Sequence, residues 1–460
     1  MAEKSVLAAC ADFAAGLRFE DIPEDVRRAA VYGLGDFVAV TMPGAVTPVA
    51  QNVLAYVKLR PLSGDCALFG TGLKADPVSA CLFNGTASHA LDFDDTAPSC
   101  MGHPTVSIAP AVFAAAQESG VDGKAIITAY VAGIESMHQI ARLCMPEVSQ
   151  RGWHTTLAFG AFGAAAAAAS IYRVSPEVAS WALAIGASTA GGLRANFGTR
   201  TKALHAGLSS ANGMQNMKLA MSGITGNPAA FEAADGFLQC FADRKEPKGA
   251  GIELGTFWDL REKGLNFKSY PCCSGSHPAI EALTFYLAEH DLKPGDIASI
   301  YCGVSLLGPR ELTCHRPQNA IEGKFSMEYA LASLMIYGHV GLDDFTDEKV
   351  AAPEVQDFMK KVTMEVDDEL AKLGFIGYAP VKMTITKTDG TKIFLERERA
   401  RGRPELPLSP EDHARKFADC MRFAGVAEKT EAWWRTMSRT EQAGPADIAD
   451  IGRALATQCY

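Results

Sequence analysis

Residues 160–170 read GAFGAAAAAAS. One phenylalanine stands among glycine, alanine and serine. Such a run has almost no side-chain bulk, and helices approach closely where small residues line the contact. It predicts a buried central helix, which restricts the fold to a packed helical array. Alanine and glycine are abundant through the first 265 residues, which again fits tight helix contacts better than a sheet.

Helix punctuation agrees. Ile22-Pro23-Glu24-Asp25-Val26 is a helix start with acids in its first turn, and the run it opens ends near Pro43-Gly44. Asp76-Pro77 and Ser175-Pro176-Glu177 open two more. Helical spacing also covers residues 106–118, 124–143, 202–220 and 229–241. Near residue 266 the character changes. Residues 298–306 alternate as a strand does, 362–366 form a second strand, and 381–396 read as a hairpin around KTDGT. Helices are expected at 279–290, 325–337 and 352–361. From about 405 the pattern is helical once more. The expectation is a mainly α chain: a large all-helical domain from 1–265 with 405–460, and a smaller α+β lid domain at 266–404.

The chain has 460 residues, 48% of them hydrophobic, enough for two or three domains with sizeable cores. Its formal net charge is -10 and it lacks a long basic run, which argues against nucleic acid as a partner. Twelve cysteines are scattered without a C-x-x-C pair, and the first 20 residues do not pattern as a secretion signal. Reduced thiols in a cytoplasmic protein are expected. Apolar stretches carry the polar breaks of core helices, so no membrane partner is expected.

The chemistry concentrates in Leu91–Thr105, LDFDDTAPSCMGHPT. It sets Asp92, Asp94, Asp95, Thr96 and His103 between two apolar helical runs. Asp94 and Asp95 are expected to cap or face solvent if they carry no chemistry. His103-Pro104 falls at a helix N-cap. Arg151-Gly152-Trp153-His154-Thr155-Thr156 leads into the small-residue helix. In Gly198–His205, Thr201 can cap, with Lys202 in the first turn, where a cation opposes the helix dipole unless an anion is present. Ser274-Gly275-Ser276-His277-Pro278 repeats the His-Pro device. Four helix starts, each with spare N–H groups and a basic side chain, suit a ligand with several carboxylates. His205, three residues from Lys202, shares its face. His89 and His138 read as packed, hydrogen-bonded core histidines. Cys272-Cys273 with His277 lacks the paired spacing of a zinc site, so no metal is expected. Neither a dinucleotide fingerprint nor a P-loop is present.

Several long stretches in order carry a resemblance: IPEDV, HALDFDDT with GHP, GWHTT with GAFGAAAAAA, GTRTKALHAG, GITGNPAAFEAADGF, KSYPCCSGSH and KFSMEYALA. Together the chain resembles the MmgE/PrpD family, which includes 2-methylcitrate dehydratase, cis-aconitate decarboxylase and iminodisuccinate epimerase. The resemblance implies an all-helical domain and an α+β lid with the active site between them, a homodimer, and no metal or organic cofactor. It maps a decarboxylase-type site onto Asp92, Thr96, His103, His154, Lys202, His277 and Tyr329.

The common step is proton transfer at a carbon next to a carboxylate. Lys202 and the helix N-termini would stabilise the enolate-like charge. His103 and His154 are the acid/base candidates. His277 and Tyr329 would complete the site on closure. Asp92 would orient a histidine or hold the lysine, with Thr96 and His205 as binding groups. The expectation is a cofactor-independent lyase acting on a small di- or tricarboxylate by dehydration or decarboxylation. The alternative is an epimerase. A non-catalytic carboxylate-binding protein and an isomerase using Cys272 or Cys273 are readings from other classes.

Overall fold

The computed structural model describes residues 4–249, 251–374 and 378–459. The chain is mainly helical. It divides into two compact units: one of residues 1–90, 94–267 and 408–460, the other of 91–93 and 268–407.

The first unit packs long helices around Thr155–Tyr172, the small-residue run, whose side chains are nearly all buried. Its neighbours include Pro77–His89, Pro104–Ser119, Gly123–Arg142 and Arg200–Met221. Thr155–Tyr172 is long and apolar enough to cross a membrane, and 89% of it is buried inside the protein. Ser175, Asp76 and Asp122 cap their helices by accepting backbone N–H bonds. Close approach is literal at Gly85: a Cβ there would lie 2.9 Å from the Gly207 Cα. That contact clamps helix Pro77–His89 onto helix Arg200–Met221.

Three local expectations change. Cys66–Leu68 and Leu73–Ala75 form a two-stranded antiparallel hairpin within the helical stretch. Residues 229–241 are not one helix, because only Phe237–Ala242 is helical. The Phe237 and Leu238 N–H groups turn back to the Ala230 and Phe231 carbonyls, which buries Phe231 and Phe237 together. The cap of the Lys202 helix is Thr199, which accepts from the Thr201 N–H, so Thr201 is already inside the helix.

The second unit holds a four-stranded sheet. Strand Ile297–Val304 runs parallel to Val362–Val366 on one side and antiparallel to Val381–Lys387 on the other. Val381–Lys387 pairs with Lys392–Arg397, as the alternating pattern predicts. Gly390, at φ +85°, turns that hairpin, and Asp389 accepts the Thr391 N–H at 2.9 Å. Ile300, Met383 and Ile385 share a core with helices His277–Glu289 and Met327–Tyr337. Residues 408–460 are mostly helical: Pro410–Phe423, Thr430–Ser438 and Pro445–Leu455.

Candidate active site

In the first unit three helix starts bring basic side chains together. His103 is the N-cap of Pro104–Ser119, His154 the N-cap of Thr155–Tyr172, and Lys202 lies in the first turn of Arg200–Met221. Neither histidine spends its ring on capping. The His103 N–H donates to Thr156 Oγ1 at 3.1 Å and the His154 N–H to the Gly192 carbonyl at 2.9 Å. With the backbone satisfied, both imidazoles turn inward and are buried.

Asp94 organises the cluster. The His89 Nδ1 lies 2.9 Å from Asp94 Oδ1, and the His103 Nδ1 lies 2.7 Å from Asp94 Oδ2. His103 Nδ1 is also 3.1 Å from the Asp95 carbonyl. The His89 and His103 rings are 4.3 Å apart, and His89 lies 6.2 Å from His154 in near-parallel planes. His154 Nδ1 meets His205 Nδ1 at 2.9 Å. One of those nitrogens donates and the other accepts, so two neutral rings take complementary tautomers. Phe197 sits edge-on to His154 at 4.9 Å and beneath the Lys202 ammonium at 5.5 Å.

The electrostatics follow from burial. Burial pushes the Asp94 carboxyl up, but the charges and hydrogen bonds of His89 and His103 outweigh it and hold it well below the usual range. Burial lowers His103 to about 4, against the pull of Asp94, with His89 and Lys202 adding to the lowering. Burial and Lys202 hold His154 well below its ordinary value. His205 falls to about 4 through burial, His89 and Lys202. At neutral pH, His103, His154 and His205 are therefore neutral, and Lys202 is the cation beside them. An anion here meets N–H dipoles and an ammonium with little water to compete.

Asp94 and Asp95 do not cap or face solvent, since their exposures are 1% and 0%. Burying a carboxylate is affordable only with partners. Asp94 has two imidazoles. Asp95 accepts from Thr105, which is also 2.6 Å from the Tyr130 hydroxyl, and burial with the nearby Asp36 pushes its carboxyl well up. Thr96 belongs to the same stretch: it exchanges backbone hydrogen bonds with Asn266 at 3.0 and 2.7 Å.

The second unit holds the other expected residues. Asp92, at φ +52°, pairs with Lys268 at 3.0 Å, and Lys268 also donates to the Asp92 carbonyl at 2.7 Å. Lys268 thus meets both the carboxylate and the carbonyl of Asp92, while in the first unit Asp94 lies between two imidazoles. Lys324 donates to the Leu91 and Pro271 carbonyls at 2.7 Å each. His277 is the first residue of its helix, with Nε2 3.2 Å from the Cys272 carbonyl and Tyr270 edge-on at 5.2 Å. Tyr329 is fully buried and its hydroxyl donates to the Asp344 carbonyl.

His89 and Asp94 are the members that sequence reasoning missed. The available signal was their spacing, His-x4-Asp across a helix end, which lets the chain turn back onto its own histidine. His89, Asp94 and His103 are also donors that a divalent ion can use, within 4.8 Å of one another. An ion bound through their Nδ1 atoms has to break both imidazole–carboxylate hydrogen bonds.

The MmgE/PrpD N-terminal domain model matches residues 8–250, and the MmgE/PrpD C-terminal domain model matches 270–442. A cis-aconitate decarboxylase of Aspergillus terreus is 29% identical over 398 residues, 81% of each chain. The Mus musculus cis-aconitate decarboxylase is 27% identical over 431 residues, 90% of this chain and 86% of its own. That of Homo sapiens is 26% identical over 429 residues, 90% and 87%. With both domain models matched in order along the chain, the protein belongs to the MmgE/PrpD family and is an enzyme of lyase type.

Proposed function

We propose that the chain is a cofactor-independent lyase that removes water or carbon dioxide from a small di- or tricarboxylate. The step is proton transfer at a carbon next to a carboxylate. The observation that carries this reading is the convergence of His103, His154 and Lys202, from three helix starts, on one buried cluster. The names of the decarboxylase relatives support the same substrate class.

The substrate's carboxylates would pair with Lys202 and the helix N–H groups. Removing a proton or carbon dioxide leaves an electron pair that delocalises into the adjacent carboxylate. Lys202 would stabilise that charge in a low-dielectric setting, where a fixed cation counts for more than in water. His103 and His154 would accept and return protons, since both are neutral at working pH. Histidines with lowered values make strong acids once protonated, which favours return of the proton to carbon. Thr96 and His205 complete the binding set proposed in the first unit. A homodimer in the cytoplasm remains part of the proposal.

The epimerase reading draws on a specific feature. Reprotonation on the opposite face needs a second acid, and the cluster holds more than one imidazole. Proton NMR in heavy water, with a panel of citrate-like and succinate-like acids, separates the outcomes. Alkene formation or loss of carbon dioxide is expected; deuterium uptake with inversion alone indicates the epimerase. Neither turnover nor exchange with any acid of the panel would sink the proposal.

A further inference from the structure

Two buried imidazoles share one carboxylate, and the arrangement says which nitrogen of each ring carries the proton. His89 Nδ1 and His103 Nδ1 are 2.9 and 2.7 Å from separate oxygens of Asp94. An ionised carboxylate only accepts hydrogen bonds, so both Nδ1 atoms donate. Whenever either ring is neutral, its lone pair then lies on Nε2. His89 is 2% exposed, and its Nε2 has no hydrogen-bonding partner among the described residues. His138 Nε2 is buried without a partner as well, so what sets His89 apart is its place beside other imidazoles. The His89 ring lies 4.3 Å from the His103 ring and 6.2 Å from the His154 ring, with its Nε2 unspent.

We infer that Asp94 is a positioning residue that clamps the tautomers of His89 and His103 together, and that His89 is a second proton-accepting imidazole of the site. The assignment of His89 to proton transfer rests on the lyase reading; the tautomer clamp does not. In the step, a carbon-bound proton passes to an Nε2 lone pair. The electron pair of the broken C–H bond stays on the substrate. The resulting imidazolium is balanced by Asp94 through the Nδ1–H bond, and the proton later returns to carbon or leaves with hydroxide as water. One carboxylate balances one imidazolium. Beyond the two Nδ1 protons the pair therefore takes up a single extra proton at a time, since a second would set two cations side by side next to Lys202.

The test uses the full-length protein with nitrogen-15-labelled histidine. Imidazole nitrogen shifts at neutral pH report which nitrogen is protonated, and His89→Asn and His103→Asn assign the signals by loss. The expected wild-type pattern is Nδ1–H with an Nε2 lone pair on both rings. In Asp94→Asn the amide offers its own N–H to one ring, and at least one tautomer flips. Kinetically, Asp94→Asn lowers kcat by about 10²–10⁴-fold with KM within about threefold, the size of a tautomer error in a related carboxylate–histidine pair. In His89→Asn the amide N–H still reaches Asp94 while Nε2 is gone. A loss of kcat by tenfold or more is expected there, whereas a merely structural His89 is rescued by Asn. A proton on His89 Nε2 in the wild type overturns the assignment of His89 as acceptor. Wild-type shifts and kcat in Asp94→Asn overturn the clamp. If the wild type converts none of the acids, the lyase reading falls and the nitrogen pattern alone decides the clamp.

Discussion

Asp94 and Asp259 are both buried carboxylates of the first unit, and each holds an imidazole by Nδ1, yet they do opposite things to it. Asp259 takes His138 Nδ1 at 2.8 Å on one oxygen, with Arg142 at 2.7 Å and Ser99 at 2.8 Å on the other. Its backbone N–H is held by Glu135 at 2.7 Å. Burial pulls His138 down, but Asp259 outweighs it and the ring sits well above its ordinary value. Asp94 shares its charge between two rings, and His103 ends near 4. The same residue pair thus raises one imidazole and leaves the other lowered. What differs is the company: further imidazoles and Lys202 oppose protonation at His103, while His138 has one carboxylate to itself on that side. A carboxylate that serves one imidazole beside an arginine staples the fold, and one divided between two imidazoles is left to do chemistry.

The sharpest way to break this comparison is Asp259→Asn beside Asp94→Asn. Removing the Asp259 charge strands the buried His138 cation and takes one partner from the half-buried Arg142, which costs about 3–5 kcal/mol. Unfolding in urea should show that loss, with turnover per folded molecule within about threefold of wild type. A large kcat loss in Asp259→Asn with unchanged stability would erase the distinction drawn between the two stations.

The cations divide the same way. Lys202→Ala should cut kcat/KM by about 10²–10³-fold, the scale of losing one preorganised charge donor, and leave the circular dichroism melt close to wild type. Arg142→Ala should do the reverse, since its guanidinium serves Asp259 and covers Phe257 at 4.4 Å. Normal turnover in Lys202→Ala removes it from the mechanism.

A smaller effect lies in pH. His103 is lowered to about 4, so its neutral burial adds stability above the unfolded value near 6.5, lost as pH falls toward 4. His138 is raised, so its contribution is complete below 6.5 and is lost as pH rises through its folded value. Urea midpoints of wild type against His103→Gln should converge on acidification, and those against His138→Gln on alkalinisation. Parallel shifts in the same direction would contradict opposite proton states.

Much of this was legible from residue order. The small-residue run named the central helix, the 381–396 alternation named the hairpin, and Pro after histidine named two helix starts. The role of Asp94 was not legible, because an Asp-Asp pair in a loop looks the same whether it meets water or two rings. His89 and His138 were read alike as core histidines, and both are buried and hydrogen-bonded. Only the third dimension tells how many imidazoles a carboxylate must serve. The 229–241 segment failed for another reason: its helical spacing is real, but Asp235-Gly236 and the Phe231–Phe237 contact make turning back more favourable than extending. The Thr199 cap was missed by two residues because both threonines suit the role.

The finest test addresses how the stretch around His103 is held. A Cβ at Gly102 would lie 2.6 Å from Thr155 Oγ1 and 3.1 Å from the Thr156 N–H. That same Thr155 hydroxyl donates to the Met101 carbonyl at 2.8 Å, and Thr156 Oγ1 accepts the His103 N–H at 3.1 Å. Gly102→Ala must therefore move either the loop or the first turn of the helix that carries His154, and both carry an imidazole of the cluster. A displacement of a few tenths of an ångström should lower kcat by about tenfold, since positioning errors of 1 Å cost roughly 10². Thr155→Ala alone loses one hydroxyl bond and little rate. The double variant frees space for the new methyl, so it should recover most of what Gly102→Ala lost, a non-additive result that a double-mutant cycle reads directly. Strict additivity would mean that Gly102 is small for a reason unrelated to the His103–His154 spacing.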